Sequence, residues 1–171
     1  MLVASIITFS SYGQNFSNKD IKRMQPVLKR SQCVVRDFNK SALISIERTN
    51  NPPLEGHIES AFFKAGFTVV SNRVARESVR VSNPLSSKID TVDISRQTTY
   101  SSVYLVTVNG NIRPNIGRCY DALADFSARI IDLANDGRLV ATFSFTGNAI
   151  SYYACMEDAA VALVYSLINQ K

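Results

Sequence analysis

The sequence predicts an α+β domain with a mixed sheet of about five strands and helices packed on that sheet. Three features support this prediction: a regular hairpin near the C-terminus, a strand–helix–strand order in the first half, and an amphipathic closing helix. The chain has 171 residues, of which 46% are apolar, enough for one well-formed core and too few for two full domains. We therefore expect residues 34–171 to fold as a single domain.

The first fourteen residues, MLVASIITFSSYGQ, contain no charged side chain and begin with an apolar run. Small residues follow at Ser11 and Gly13, a pattern typical of a secretory signal peptide, although the basic start of such a signal is missing. The alternative is a buried first strand or helix. The apolar run is too short to span a bilayer. We expect residues 1–14 to be a signal peptide of a periplasmic or secreted bacterial protein without a transmembrane span.

Positive charge is concentrated directly after this segment. Residues 19–40 hold seven lysines and arginines against two aspartates, which accounts for the whole net charge of +5. We interpret residues 15–33 as a basic lead-in, helical or irregular and interrupted near Pro26. One hypothesis is contact with an anionic partner through Lys19, Lys22, Arg23, Lys29 and Arg30. The alternative is a solvated helix face, and the lack of interleaved aromatic residues argues against nucleic acid.

The next segment predicts a parallel pair of strands. KSALISIE (residues 40–47) is a short β-branched run typical of a strand, and Pro52 and Pro53 are expected to exclude regular structure. LEGHIESAFFKAG then places apolar residues at helical spacing and ends at Gly66. FTVVS follows as a second strand. The order strand, helix, strand favours two parallel strands with the helix laid across them.

The middle of the chain combines a polar segment with a central strand. Residues 76–99 lack strong periodicity, which predicts a long functional or partly ordered loop, opened by a short helix over 74–81. SSVYLVTVNGNI (residues 101–112) is apolar on both faces between Val103 and Val108. Such a run is typical of a strand in the middle of a sheet.

The stretch ALADFSARIIDLANDGRLVATFSF (residues 122–145) alternates apolar and polar side chains on both sides of a turn. Opposed residues of an antiparallel pair share a face, so Phe126 and Phe143 should point to the same side. A turn at Asp136–Gly137 gives paired residue numbers that sum to 273, and one at Asn135–Asp136 gives 271; Asp-Gly is the better turn chemically. The final segment carries a helical stripe that should cover this apolar face: Ala160, Val161, Val164, Leu167 and Ile168.

The hairpin register has a consequence for the cysteines. Continued backwards, it places Cys119 opposite residue 152 or 154, next to Cys155, so that a disulfide between Cys119 and Cys155 is within reach. Three unpaired thiols are the alternative, and Cys33 is left over in either case. The chain has no CxxC pair and a single histidine, so we expect no metal site.

No residue set predicts catalysis. The seven glycines form no phosphate-binding loop, and Asp125 and Asp132 are expected to be ordinary surface charges. His57 could act as a general base only with a serine or cysteine nucleophile beside it, which the sequence does not place there. We therefore expect no enzymatic activity and no cofactor, and keep a hydrolase centred on His57 as a third hypothesis.

Several segments together resemble a known family. SALISIE, HIESAFFKAGFTVVSNRVARE, SSVYLVTVNGNI and ARIIDLANDGRLVATFSF, followed by an amphipathic helix, are similar to successive blocks of the curli-secretion CsgG family, with its LpoB-type relatives and the amino-terminal domain of TolB. The similarity covers roughly residues 34–168 and includes Phe67, Val69, Val70 and Arg73. The lipobox cysteine of the lipoprotein members is absent, and pore formation is not carried over. The resemblance implies an envelope domain that binds another macromolecule.

Together these features predict a non-enzymatic adaptor or assembly module of the cell envelope with a protein partner, compatible with oligomer formation. Its contact surface would be an exposed sheet edge or the 76–99 loop. The alternative is binding of an anionic envelope component through residues 19–40. Salt distinguishes the two, because contact with an anionic surface weakens steeply as ionic strength rises.

Overall fold

The computed structural model describes residues 16–49, 51–82, 102–117, 119–147 and 152–169. Within these ranges the chain forms helices and strands in the order α1 (Asn18–Leu28), β1 (Ser31–Val35), β2 (Leu43–Ile46), α2 (Pro52–Lys64), β3 (Thr68–Val70), α3 (Asn72–Ser82), β4 (Val103–Ile116), β5 (Cys119–Asp132), β6 (Arg138–Thr146), β7 (Ala154–Cys155) and α4 (Met156–Ile168). This confirms the predicted α+β class. The predicted signal peptide and residues 83–99 of the predicted loop lie outside the described residues.

The described strands form one mixed sheet, larger than expected. Its order is β1–β6–β5–β4–β2–β3, and β7 pairs with β5 beyond the end of β6. The pairs β1–β6, β6–β5 and β5–β4 are antiparallel, whereas β2 runs parallel to both β4 and β3. The parallel β2–β3 pair, with α2 between them in sequence, confirms the predicted strand–helix–strand unit. Among the described strands, β1 and β3 are the two edges.

The main core lies between one face of the sheet and a layer of three helices. α4 lies between α1 and α2 in this layer and packs on β5. Phe126 and Phe143 face the core with ring centroids 5.7 Å apart, and each is 1% exposed. Both arms of the hairpin therefore present their apolar side chains to one interior, as predicted, and the closing helix covers them.

The residues of the basic lead-in supply a helix and an edge strand of this same domain. α1 begins with a capping box: the Ser17 hydroxyl accepts a hydrogen bond from the main-chain N–H of Asp20, and the Asp20 carboxylate accepts one from the N–H of Ser17, each at 3.1 Å. The side-chain hydrogen bond from Ser17 also holds the pKa of Asp20 below its usual value. Met24 and Val27 are fully buried. Pro26 lies inside the helix, which ends two residues later.

The prediction that Pro52 and Pro53 exclude regular structure is wrong. These residues begin α2. The first turn of a helix has N–H groups without an intrahelical acceptor, so a proline there removes no hydrogen bond. The side chain of Asn51 caps the helix, since its Oδ1 accepts from the N–H of Leu54 at 3.2 Å.

The β5–β6 register is the one given for a turn at Asn135–Asp136, not the one for the chemically favoured turn at Asp136–Gly137. Paired residue numbers sum to 271 over most of the hairpin, as in Phe126 opposite Phe145, so the preferred sum of 273 is wrong. After Ile130 the register shifts by one residue, and Val140 is the extra residue of the resulting bulge.

The turn of this hairpin is a five-residue loop, residues 133–137, in place of the expected two-residue turn. Asp136 and Gly137 adopt left-handed φ values of 54° and 70° at its end. Asp132, only 2% exposed, holds the loop: its carboxylate accepts from the N–H of Ala134 at 3.0 Å and from the side-chain amide of Asn135 at 2.7 Å. The expectation of a surface charge at Asp132 is therefore wrong, because the longer loop supplies donors that make its burial tolerable.

The opposite face of the sheet, called the outer face below, is only partly covered by the described helices. α3 packs on the side of β2 and β4, where Ala75, Leu43 and Val103 form a small buried cluster. On β1, β6 and β5 most outward side chains are exposed, among them Gln32 and Ser144. The described residues therefore leave half of the outer face open next to the β1 edge.

Gly147 marks a close approach between main-chain segments. A Cβ atom there would lie 2.5 Å from the carbonyl oxygen of Tyr152 and 2.6 Å from that of Ala124. Because both are main-chain atoms, we expect Gly147→Ala to lower the free energy of unfolding by about 1–3 kcal/mol, measured by urea denaturation.

Gly56→Ala provides the matched control. Gly56 lies in α2, and an added Cβ atom would meet nothing within 4 Å. We expect this change to raise the free energy of unfolding by about 0.5–1 kcal/mol, because alanine favours helix over the unfolded chain. Similar effects of the two substitutions would contradict the close approach at Gly147.

Candidate functional site

The candidate site is the outward edge of β1. Val34 lies opposite Thr142 of β6, and the pairing continues to a hydrogen bond from the N–H of Arg36 to the carbonyl oxygen of Val140 at 2.7 Å. Main-chain groups alternate in direction along a strand, so those of Val34 and Arg36 point to β6 and those of Val35 point to the edge. No described strand pairs with that edge.

A shallow depression of about 180 Å³ opens on the outer face beside β1. Val34 and Leu139 line it with apolar surface and are 57% and 40% exposed. Arg36, which is exposed, also lines it. Two apolar side chains beside a guanidinium group can receive an apolar side chain together with a nearby carboxylate.

The outer face next to this depression carries mainly neutral polar side chains. The strand register aligns them in three rows: Gln32, Ser144, Ser127 and Asn109; Val34, Thr142, Arg129 and Thr107; and Thr146, Asp125 and Asn111. Asp125 and Arg129 are the charged members of these rows. Depletion of charged residues is typical of the centre of protein interfaces, because fewer charges must lose their water on binding.

The five predicted anion-contact residues have different surroundings. Lys19 and Lys22 are exposed on α1, where they line a shallow depression, and Lys29 is exposed just before β1. Arg23 pairs instead with acidic residues of α4: its Nη2 lies 2.7 Å from Glu157 and its Nε 2.9 Å from Asp158. The hydrogen bond with Glu157 raises the pKa of Arg23 above its usual value.

Arg30 is also engaged within the protein. Its Nη1 donates to the carbonyl oxygen of Pro26 at 3.1 Å, and its guanidinium carbon lies 4.3 Å from the ring centroid of Tyr152. A cation over an aromatic face is attracted by the ring quadrupole. The candidate anion contact is thereby reduced to the three lysines of this segment.

His57 lies at a different part of the surface. It is exposed on α2 and lines a depression of about 370 Å³ together with Tyr120 and the Cys119–Cys155 pair. No serine belongs to the described lining, and the two cysteines are bonded to each other. The described lining of this depression therefore offers His57 neither a serine nor a free cysteine.

Cys119 and Cys155 form a disulfide with their Cα atoms 5.3 Å apart. The register expected for this region is wrong. β5 and β7 pair with Ala122, and not a residue next to Cys119, opposite Cys155. The bond therefore runs diagonally from the start of β5 to the start of α4. Disulfides persist in oxidising compartments, so this bond fits an extracytoplasmic location.

Cys33, the third cysteine, lies in β1 opposite Phe143. In the described ranges no group of three or more histidine, cysteine, aspartate or glutamate side chains could hold a metal ion. The same ranges contain no helix that is both long and apolar enough to cross a membrane.

No protein-family model and no curated protein matches the chain. Among solved structures it is similar to a PDZ domain protein from Parabacteroides distasonis, with a TM-score of 0.41 and 13% identity over 81% of this chain and 34% of that one. It is also similar to Lipoprotein GNA1162 from Neisseria meningitidis, with a TM-score of 0.28 and 18% identity over 75% of this chain and 96% of that one.

The chain thus spans about a third of the length of the PDZ domain protein. At such low TM-scores neither similarity carries an argument about function. The resemblance to the CsgG family stays a prediction from the sequence.

We expect loss of the disulfide to destabilise the domain. The bond closes a loop between residues 36 apart in sequence, so a variant carrying Cys119→Ser and Cys155→Ser should unfold with a free energy lower by about 2–4 kcal/mol. Thermal denaturation with and without dithiothreitol tests this. Reductant should lower the Tm of the wild type and of Cys33→Ser, and an unchanged wild-type Tm would contradict the expectation.

Asp132 and Asp125 form a second matched pair. Asp132→Asn replaces a buried acceptor of three hydrogen bonds, from the N–H groups of Val103 and Ala134 and from the Asn135 amide, and turns one oxygen into a donor facing a donor. We expect a loss of about 1–3 kcal/mol in the free energy of unfolding. The exposed Asp125→Asn should change it by less than about 0.5 kcal/mol. Equal losses in urea denaturation would contradict a structural role for Asp132.

Proposed function

We propose that this chain is a non-enzymatic binding module of the bacterial cell envelope, periplasmic or secreted, that docks another protein at the β1 edge. The observation that carries the proposal is the position of β1 at the end of the sheet, with no described strand on its outward side. The main-chain groups of an edge strand are a template for pairing with another strand.

The surroundings of the edge support protein docking in particular. Val34 and Leu139 expose apolar surface directly beside β1. The adjoining rows of serine, threonine, asparagine and glutamine can donate and accept hydrogen bonds at a low desolvation cost. An apolar centre bordered by adaptable polar groups is the usual composition of a protein interface.

The disulfide supports the proposed compartment. It joins β5 to α4 in a domain whose sequence also predicts a signal peptide. Proteins that fold in the bacterial periplasm or outside the cell form such bonds, whereas cytosolic thiols are kept reduced.

A second candidate function is binding of an anionic envelope component through α1. Lys19 and Lys22 line a depression of about 580 Å³ on the exposed side of this helix. Since Arg23 and Arg30 interact within the protein, this surface offers fewer cations than the sequence suggests. Charge reversal of Lys19 and Lys22 should abolish such binding while leaving a β1-edge complex formed.

Site-specific crosslinking tests the proposed function. A photo-crosslinking amino acid in place of Val34 should give adducts of discrete mass with a partner protein in intact cells. The same amino acid in place of Phe63, a residue of α2 that is 73% exposed, is the control. α2 packs on β2 and β3, at the opposite end of the sheet from β1.

Mass spectrometry would identify the crosslinked chain. Adducts from position 34 that are missing from position 63 support docking at β1. Adducts only from position 63, or none from position 34 in cells that contain the folded protein, would refute the proposal.

A further inference from the structure

We infer that the β1 edge accepts an extended acidic segment, in which an apolar residue and a carboxylate stand two positions apart. This inference rests on the proposed function and names the chemistry of the partner at the same edge. It follows from three features of the described residues: the main-chain groups of Val35 that point to the edge, the exposed Val34 beside them, and the sign of the surrounding charge.

The spacing follows from strand geometry. Val34 and Arg36 lie two residues apart in one strand and therefore project to the same face. A strand added beside β1 aligns its own residues with them at the same interval, in either direction. An apolar residue of the added strand then contacts Val34, while the residue two positions away lies next to Arg36, at the side of β1 that faces away from β6.

The charge follows from the residues that flank β1. Lys29 precedes the strand and Arg36 follows it, and both are exposed. The guanidinium group of Arg30 is held over the ring of Tyr152 and is not counted among them. The one acidic residue next to them, Asp37, pairs with Arg138 at 3.1 Å. The edge is therefore positively charged at both ends and complements an acidic segment.

The same charges disfavour a second copy of this chain as the occupant. If two β1 strands paired antiparallel about their middle residue, Arg30 of each copy would face Arg36 of the other. Lys29 would face Asp37, whose carboxylate is already paired with Arg138 of its own chain. Like charges directly opposite in a sheet are destabilising, and basic residues beside an edge strand are a common means of preventing self-association. An acidic segment of another protein is not repelled by these basic residues.

Three short peptides of equal length test the inference. Each alternates threonine and valine and carries, two positions from a valine, either glutamate, glutamine or lysine; the ends are blocked. The full oxidised chain, labelled with ¹⁵N, is titrated with each peptide and followed by the chemical shifts of its main-chain amides.

We expect the glutamate peptide to shift the amides of residues 31–36. Its Kd should be about threefold below that of the glutamine peptide and about tenfold below that of the lysine peptide at low salt. Raising NaCl from about 50 to about 500 mM should reduce this preference, because the contact is exposed.

Charge reversal provides the decisive comparison. Arg36→Glu should invert the order, so that the lysine peptide binds more tightly than the glutamate peptide. Arg48→Glu, an equal change at another exposed arginine, should leave the order as in the wild type. Unchanged amide spectra away from the substituted residue establish that both variants are folded.

Other results would overturn the inference. Equal binding of the three peptides, shifts confined to α1, or no binding by any peptide would each contradict it. Binding of vesicles containing phosphatidylglycerol with the same loss on Arg36→Glu, in the absence of peptide binding, would assign the edge to anionic lipid. Crosslinks from position 34 combined with a failed peptide test would leave the proposed function standing and remove only the acidic segment.

Discussion

The structure depends on the contact between α4 and the middle of the sheet. Ten of the thirteen residues of α4 are buried, because this helix lies over β5 and has α1 and α2 on its two sides. Three alanines, Ala159, Ala160 and Ala162, are fully buried and allow close approach of the neighbouring elements. Each fully buried leucine, valine or phenylalanine at this contact contributes about 1.5–3 kcal/mol, so the layer of helices is held in place chiefly through α4. The position of β1 at the sheet edge follows from it, since α1 packs on α4 and leads directly into β1.

The sequence allowed the parts of this arrangement that rest on local periodicity to be predicted. Alternation in the β5–β6 hairpin and the helical stripe of α4 each reflect one buried face, and both elements fold accordingly. The sequence does not predict β1, because the alternation in its five residues, SQCVV, is too short to distinguish from irregular chain. Turn chemistry alone favours the wrong hairpin register. The observed register includes the buried Asp132 and the bulge at Val140, and neither a buried carboxylate nor an extra residue has a signature in the local sequence pattern.

The candidate site was only partly accessible to sequence reasoning. The excess of positive charge in residues 19–40 is visible in the composition. Whether each basic side chain is available to an external anion depends on residues distant in the chain. Arg23 bonds to Glu157, 134 positions away, and Arg30 lies over Tyr152. An exposed sheet edge was anticipated in general terms, and the depression beside it was not, because Val34 and Leu139 meet only through the pairing of β1 with β6.

The disulfide also has a mechanical consequence. Cys119 and Cys155 close a covalent ring that contains all of β5 and β6, including the strand on which β1 is paired. A pulling force applied along the polypeptide can straighten the segments on either side of this ring, but it cannot lengthen the path through it. β5 and β6 are thus enclosed in a part of the chain that a force on its ends cannot extend while the bond is intact.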